Sequence, residues 1–299
     1  MPLAGYEATV VLVVISVVAA SAGLLAFAMA RRWPRLDLTA PRIDAASPVM
    51  QESVRKHPSL RALLRREIDP ATATGLVLTV AVVAIVIVTV AVGALLLMVQ
   101  TNSGLAKWDL SFARWGADHA TTASTLWLRR ISLLGGTLVV VSASVVVGAL
   151  EYRRRPNRAI PALIALAVLG QFAIVNLIKV VVGRNRPAIH QLTGFSGKSF
   201  PSGHSAAAAV TYAVLALLLG RGRPRNVRNA LAGVAVGLAV LVAETRVMLG
   251  VHWFTDVLAG IAVGWGWLAV CSIAFGGRFL QFGAPVASAE AVAARPRRA

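Results

Sequence analysis

The sequence predicts an all-α fold: a polytopic membrane helix bundle with a six-span core and one added N-terminal span. Three observations predict it. Seven runs of the 299-residue chain (8–30, 70–106, 131–150, 159–178, 205–220, 229–243 and 257–277) contain no Asp, Glu, Lys, Arg or His. Hydrophobic residues make up 57% of the chain and charged residues only 14%. The basic residues fall almost entirely between the runs. A helix needs roughly 20 largely apolar residues to cross the hydrocarbon of a bilayer, so most of the runs suffice unaided. The competing explanation is a large soluble protein with fully buried helices, and seven such runs in one chain weigh against it.

The run 8–30 has no basic start and is followed by Arg31, Arg32 and Arg35, which marks it as a span and not as a cleaved leader. Residues 31–69 form a basic, Pro-containing linker. Its segment 49–68 has helical stretches broken near Pro58, readable as an amphipathic element on the inner membrane surface or as a solvated linker. The expected domains are therefore 1–30, an extra N-terminal helix; 31–69, a cytoplasmic linker; 70–277, a six-span core; and 278–299, a disordered cytoplasmic tail. In the connection 101–130, Trp108, Trp115 and Trp127 read as interfacial anchors. Its charges Lys107, Asp109, Arg114, Asp118 and His119 read as a surface loop, with the rim of a site entrance as the alternative. The runs 205–220 and 229–243 are short and must draw length from the polar residues beside them, which places those residues in helix ends at the bilayer edge. The lone Cys271 lies in an apolar run and reads as a small buried hydrophobe.

The net charge of +18 is topological. With seven spans, the connections on one side (31–69, 151–158, 221–228 and 278–299) hold 21 Lys and Arg, and those on the other hold 8. Basic connections stay cytoplasmic, so the N-terminus is expected outside and the C-terminus inside. No aromatic residues interleave the basic ones in the manner of a nucleic-acid-binding surface, so nucleic acid is not expected as a partner. The Ala- and Val-rich composition points to a GC-rich bacterial source and hence to the inner membrane.

Three polar clusters, Lys179–Pro187, Pro201–His204 and Thr245–Asp256, all fall on the predicted outer side. Ionisable groups beside hydrocarbon are costly, so their concentration marks a functional site. In 198-KSFPSGHSAAAA-209, Ser199 or Ser202 can cap the following helix, and free N–H groups at such an end bind anionic oxygens. Gly203 permits close backbone approach, and His204 projects from the first turn. In 244-ETRVMLGVHWFTDVLAG-260, His252 and Asp256 share a face if the segment is helical. The Asp would then fix the imidazole tautomer and leave the other nitrogen free, or the pair is a structural tie. In 179-KVVVGRNRP-187, Lys179 and Arg186 offer a point charge and a planar fork suited to phosphate, or serve as interfacial anchors.

Taken in order, K-x6-R-P, P-S-G-H and (S/T)-R-x5-H-x3-D, the clusters resemble the three-part signature of the type 2 phosphatidic acid phosphatase superfamily. The direct resemblance covers about 80 residues, and the six-span pattern extends it over 70–277. Thr245 departs from the usual Ser but keeps a hydroxyl. The resemblance implies a phosphatase in which His252 attacks phosphorus to form a phosphohistidine, Asp256 orients it, and His204 protonates the leaving oxygen. It implies that Lys179, Arg186 and Arg246 hold the phosphoryl oxygens with Ser202 and the N–H of Gly203. No cofactor is implied. Between residues 152 and 289 the only carboxylates are Glu244 and Asp256, too few for a two-metal site, so no metal is expected.

The expected substrates are lipid phosphates or diphosphates: a polyprenyl diphosphate such as undecaprenyl diphosphate, slightly favoured by an outward-facing site, or phosphatidic acid or phosphatidylglycerol phosphate. A phosphotransferase with the same site is the first alternative, and a non-catalytic transporter or binding protein for anionic lipids the second. Nothing in the sequence fixes the oligomeric state. Arg184 is a candidate substrate contact or a solvated rim residue, and Glu244 a partner for an Arg or a lipid head. Asn176 is expected to bond between helices. His57, His119 and His190 are not assigned to catalysis.

Overall fold

The computed structural model describes residues 2–32, 70–189 and 191–279. Among them are α-helices α1 (Pro2–Arg32), α2 (Pro70–Gln100), α3 (Asp109–Asp118), α4 (Thr122–Ser132), α5 (Thr137–Arg154), α6 (Ala159–Val182), α7 (Gly203–Leu219), α8 (Arg225–Met248) and α9 (Phe254–Phe279). Short 3-10 turns at Gly104–Trp108 and Leu133–Gly135 precede α3 and α5. Segment 49–68, His57, His190 and tail residues 280–299 lie outside the described residues.

The all-helical class follows from the apolar runs. Four stretches are long and apolar enough to cross a membrane: Thr9–Ala28, Ala159–Val182, Arg225–Met248 and Phe254–Ser272. Two bent pairs, Ile85–Gln100 with Gly104–Asp118 and Thr122–Gly135 with Thr137–Arg154, raise this to as many as six. Helix α7 is apolar but has only 17 residues. The sequence treated 131–150 as one span. Instead α4 ends at Ser132 and the chain turns by 49° before α5. The turn coincides with the pair Gly135–Gly136, a usual cause of such a kink.

Helix α7 is the hub, packed against α5, α6, α8 and α9, while α2 lies on α9 and α1 on α8. Its buried face is rich in small residues, with Ala206, Ala208 and Ala209 all inaccessible or nearly so. Small residues let helix backbones approach closely where lipid supplies no hydrophobic drive. Facing them on α9 are Gly260 and Gly264. A Cβ at Gly260 would lie 2.5 Å from the Ser202 carbonyl, and one at Gly264 would lie 2.6 Å from that of Ala206. This approach brings the start of α7 to the start of α9, where the Ser202 N–H donates to the Asp256 carbonyl at 2.9 Å.

Lower in the bundle, Ile160, Leu163 and Ala167 of α6 pack with Val210, Val214 and Leu218 of α7 and with Cys271 of α9. The cysteine is fully buried, as its apolar setting implied. A second cluster joins Val11 and Ile15 of α1 to Leu128 of α4, to Val247 and Met248 of α8, and to Val251 and Val257 beside the polar residues. The added N-terminal helix thus supports the polar end of α8. Val83, Ile87 and Val90 of α2 and Leu169, Phe172, Leu177, Val180 and Val181 of α6 remain exposed, as a lipid-facing surface requires.

Candidate active site

The three sequence clusters converge at one end of the bundle. Lys179 lies in the last turn of α6, His204 in the first turn of α7, Arg246 in the last turn of α8 and Asp256 in the first turn of α9. Polar residues therefore occupy helix ends, as the short apolar runs required.

The segment from Glu244 to Gly260 is not one continuous helix, so the condition for a shared helical face is not met at His252. The helix stops at Met248, Gly250 adopts φ +68°, and His252 sits in the turn before α9. Its contact with Asp256 survives across that turn. His252 Nδ1 lies 3.3 Å from Asp256 Oδ2, and both side chains are almost wholly buried. The same Oδ2 accepts the Trp253 N–H at 3.0 Å and the Ser199 hydroxyl. An ionised carboxylate only accepts, so this arrangement puts the imidazole proton on Nδ1 and makes Nε2 the acceptor and potential nucleophile. Nε2 lies 3.1 Å from Arg186 Nη1. Burial pushes the His252 imidazole down to about 4 against the opposing pull of Asp256, so the ring is neutral near pH 7.

Of the cations, Arg186 and Arg246 act directly on this imidazole. Gly183 ends α6 in the left-handed conformation (φ +63°), which turns the chain so that Arg184 and Arg186 point back into the bundle. Arg186 donates to the carbonyls of Val251 at 2.6 Å, Ser196 at 2.8 Å and Gly197 at 3.0 Å. Lys179 Nζ donates to the Lys198 carbonyl. Arg246 is buried: its Nη1 donates to Ser132 Oγ at 2.7 Å, and its Nε has no hydrogen-bond partner. The charges of Arg246, Arg186 and Lys179 act on His204, which is half-buried, as does that of His252 when its ring is protonated.

Ser202 is the N-cap of α7. Its Oγ accepts from Ser205 Oγ at 2.9 Å and, more weakly, from Ser205 N–H at 3.4 Å. Its oxygen thus accepts in the cap while its own O–H stays available to donate, and the first N–H groups of the helix, at Gly203 and His204, lie at the same end. Of the two serines proposed as caps, Ser199 instead holds Asp256.

Arg184 is not a solvated rim residue: three of its donors are committed within the protein. Its Nη1 donates to Asp256 Oδ1 at 2.6 Å and to Thr255 Oγ1 at 2.8 Å, and its Nη2 to Asp109 Oδ2 at 2.7 Å. Asp109 corrects the surface-loop reading as well. It is 4% exposed, and its Oδ1 accepts the Thr255 N–H at 2.8 Å, capping α9 from another element. Sequence reasoning missed this role. The available signal was an acid at a helix start, in a chain with only 12 Asp and Glu.

The remaining candidates lie off the cluster. The Thr245 hydroxyl donates to the Val242 carbonyl of its own helix at 2.6 Å. Glu244 forms no ion pair among the described residues, and its buried Oε2 has no hydrogen-bond partner. On an α-helix its position is about 200° around from Arg246, away from the cations. Asn176 bonds the Phe172 carbonyl of its own helix at 2.8 Å, not a neighbouring helix. His119 bonds the Trp115 carbonyl at 2.9 Å and stacks on that ring. Trp108 and Trp127 are half exposed, as interfacial anchors should be, whereas Trp115 packs against the core.

Comparison with known proteins places this geometry among relatives. A family profile described as the PAP2 superfamily matches residues 160–279. Phosphatidylglycerophosphatase B of Bacillus subtilis (strain 168) is 34% identical over 165 residues, spanning 50% of this chain and 78% of that protein. Lipid A 1-phosphatase of Rhizobium etli is 36% identical over 107 residues, spanning 32% of this chain and 42% of that protein. The crystal structure of a transmembrane PAP2-type phosphatidylglycerolphosphate phosphatase from Bacillus subtilis superposes with a TM-score of 0.56 at 26% identity. It covers 64% of this chain and 94% of that one.

Proposed function

The chain belongs to the PAP2 superfamily, and from that premise we propose that it is a bacterial multi-pass membrane phosphatase that hydrolyses a lipid phosphate at the outer membrane face through a phosphohistidine on His252. One observation carries the reading. His252 has its Nδ1 held by Asp256 and its Nε2 turned to the fork of Arg186 at 3.1 Å. A lone pair aimed into a cation cluster is what attack on a phosphoryl group requires.

In the first step Nε2 attacks phosphorus and the bond to the leaving oxygen breaks. His204 delivers its proton to that oxygen. Lys179, Arg186 and Arg246 neutralise the phosphoryl oxygens, and the unpartnered Arg246 Nε gains an acceptor. In the second step His204 takes a proton from water, water attacks phosphorus, and the phosphorus–nitrogen bond breaks to restore His252. Positioning and charge neutralisation by three cations suffice for such transfer, so the proposal includes no metal. The outer-face assignment rests on the excess of basic residues in the opposite connections. The name of the relative matched over most of its length makes a glycerolipid monophosphate the first substrate to test, ahead of polyprenyl diphosphate.

The test is phosphate release from phosphatidylglycerol phosphate, phosphatidic acid and undecaprenyl diphosphate, supplied to right-side-out vesicles with and without EDTA, with His252→Ala as the blank. Turnover that survives EDTA and disappears in the variant is expected. Turnover by inverted vesicles only would move the site to the other face, and an active His252→Ala protein would overturn the mechanism. Transfer of phosphate to a lipid alcohol in place of release would make the enzyme a phosphotransferase.

A further inference from the structure

Asp109 stands outside the three-part signature and Arg184 fills one of its unspecified positions, yet the two form a connected polar group beside it. Arg184 bridges two buried carboxylates, at 2.6 Å to Asp256 Oδ1 and 2.7 Å to Asp109 Oδ2. Its side chain is 14% exposed, and its guanidinium lies over the Trp253 ring at 5.3 Å. Asp109 is held by the Thr255 N–H and by the Thr255 hydroxyl at 2.7 Å. The chain of charges therefore runs Asp109, Arg184, Asp256, His252, alternating in sign once the imidazole is protonated.

The two oxygens of Asp256 are divided between the two ends of this chain. Oδ2 faces His252, and Oδ1 faces Arg184. We propose that Asp109 and Arg184 are positioning residues that grip Asp256 through Oδ1 and, by sharing charge between two carboxylates, set how strongly Asp256 draws the proton of His252. A guanidinium owned by Asp256 alone would withdraw charge from it and weaken its hold on the imidazole. Asp109 takes up part of that positive charge and restores the hold. The same pair fixes Asp256 in space, because Asp109 also caps the helix that carries it. The inference rests on His252 being the nucleophile of the proposed phosphatase.

Asp256 on α9, Arg186 in the segment after α6 and Arg246 on α8 act on His252 directly, His204 on α7 feels the imidazole when it is protonated, and Arg184 and Lys179 bear on Asp256. The test must change one member and read its sign. Removing the negative charge of Asp109 makes His252 less basic, so the acid limb of the kcat–pH profile moves to lower pH. Removing the positive charge of Arg184 makes His252 more basic, so the limb moves to higher pH. A structural role alone predicts loss of folded protein, which lowers the amplitude without moving the limb.

The experiment is the pH dependence of kcat for phosphate release from dioctanoyl phosphatidic acid in detergent micelles by wild type, Asp109→Asn, Arg184→Gln and Arg184→Lys. Asparagine keeps an acceptor for the Thr255 N–H, so the helix cap survives. Expected are opposite shifts of about half a pH unit or more, the size a unit charge this near produces at an effective dielectric constant of about 20. Arg184→Lys, which keeps the charge, returns the limb toward wild type. Limbs that stay in place, or that move in the same direction in both variants, overturn the inference alone. A wild-type protein without turnover overturns the proposed function and this inference with it.

Discussion

His252 has two ring nitrogens in different surroundings, and that difference is the chemistry. Nδ1 is tied to a carboxylate that also takes a hydroxyl and two further N–H donors, so the tautomer is fixed by the structure around it. Arg186 turns its donors to backbone carbonyls and to His252 Nε2, and in the proposed mechanism a phosphate would replace these neutral acceptors with charged oxygens, which form the stronger bonds. The burial of His252 also ties stability to pH. Its folded value near 4 lies below the ordinary value of about 6.5, so between the two the unfolded chain binds more protons. The contribution is present in full above about pH 6.5 and is lost as pH falls toward 4. Thermal melts in detergent should show the midpoint falling over that window in wild type, with a shallower fall in His252→Asn. Parallel slopes would show that other groups set the dependence.

Among the elements, the contact of α7 with α9 sets the site. The carbonyl of Ser202 occupies the place a side chain at Gly260 would need, and His204 follows two residues later. Gly260→Ala should therefore push the start of α7 away from Asp256. Overpacking of this kind costs about 1–3 kcal/mol. We expect a lower melting temperature together with a fall in kcat of tenfold or more, since displacement of catalytic groups by about 1 Å has consequences of that order or larger. Wild-type stability and turnover in this variant would mean that the close approach does not position the site. The sequence disclosed part of this arrangement. The short runs 205–220 and 229–243 announced that polar residues had to lie in helix ends, because span length is a local property. The break at Gly250 and the bend after Ser132 were hidden, because continuous apolar composition says nothing about where a helix turns.

Over the whole molecule, the division between what was legible and what was not follows sequence distance. Lys179, Arg186, His204, Arg246, His252 and Asp256 lie in three short motifs, and it is the family resemblance of those motifs that implies the roles proposed for them. Asp109 reaches Thr255 across 146 residues from a segment that reads like any interfacial connection, so only tertiary structure reveals it. Arg184 lies inside a motif, but its direction depends on the left-handed turn at Gly183. The added helix α1 packs along α8 and reaches the cluster beside Val251 and Val257, tying the N-terminal span to the phosphatase end of the bundle. All of these elements converge on one nitrogen, so the most direct measurement is to trap it. Purified protein mixed with phosphorus-32-labelled dioctanoyl phosphatidic acid and quenched in alkali within milliseconds should carry an alkali-stable, acid-labile label that maps to the peptide containing His252 and is absent from His252→Ala. A label on any other residue would contradict the account, as would full turnover by the wild-type protein with no labelled protein at any quench time.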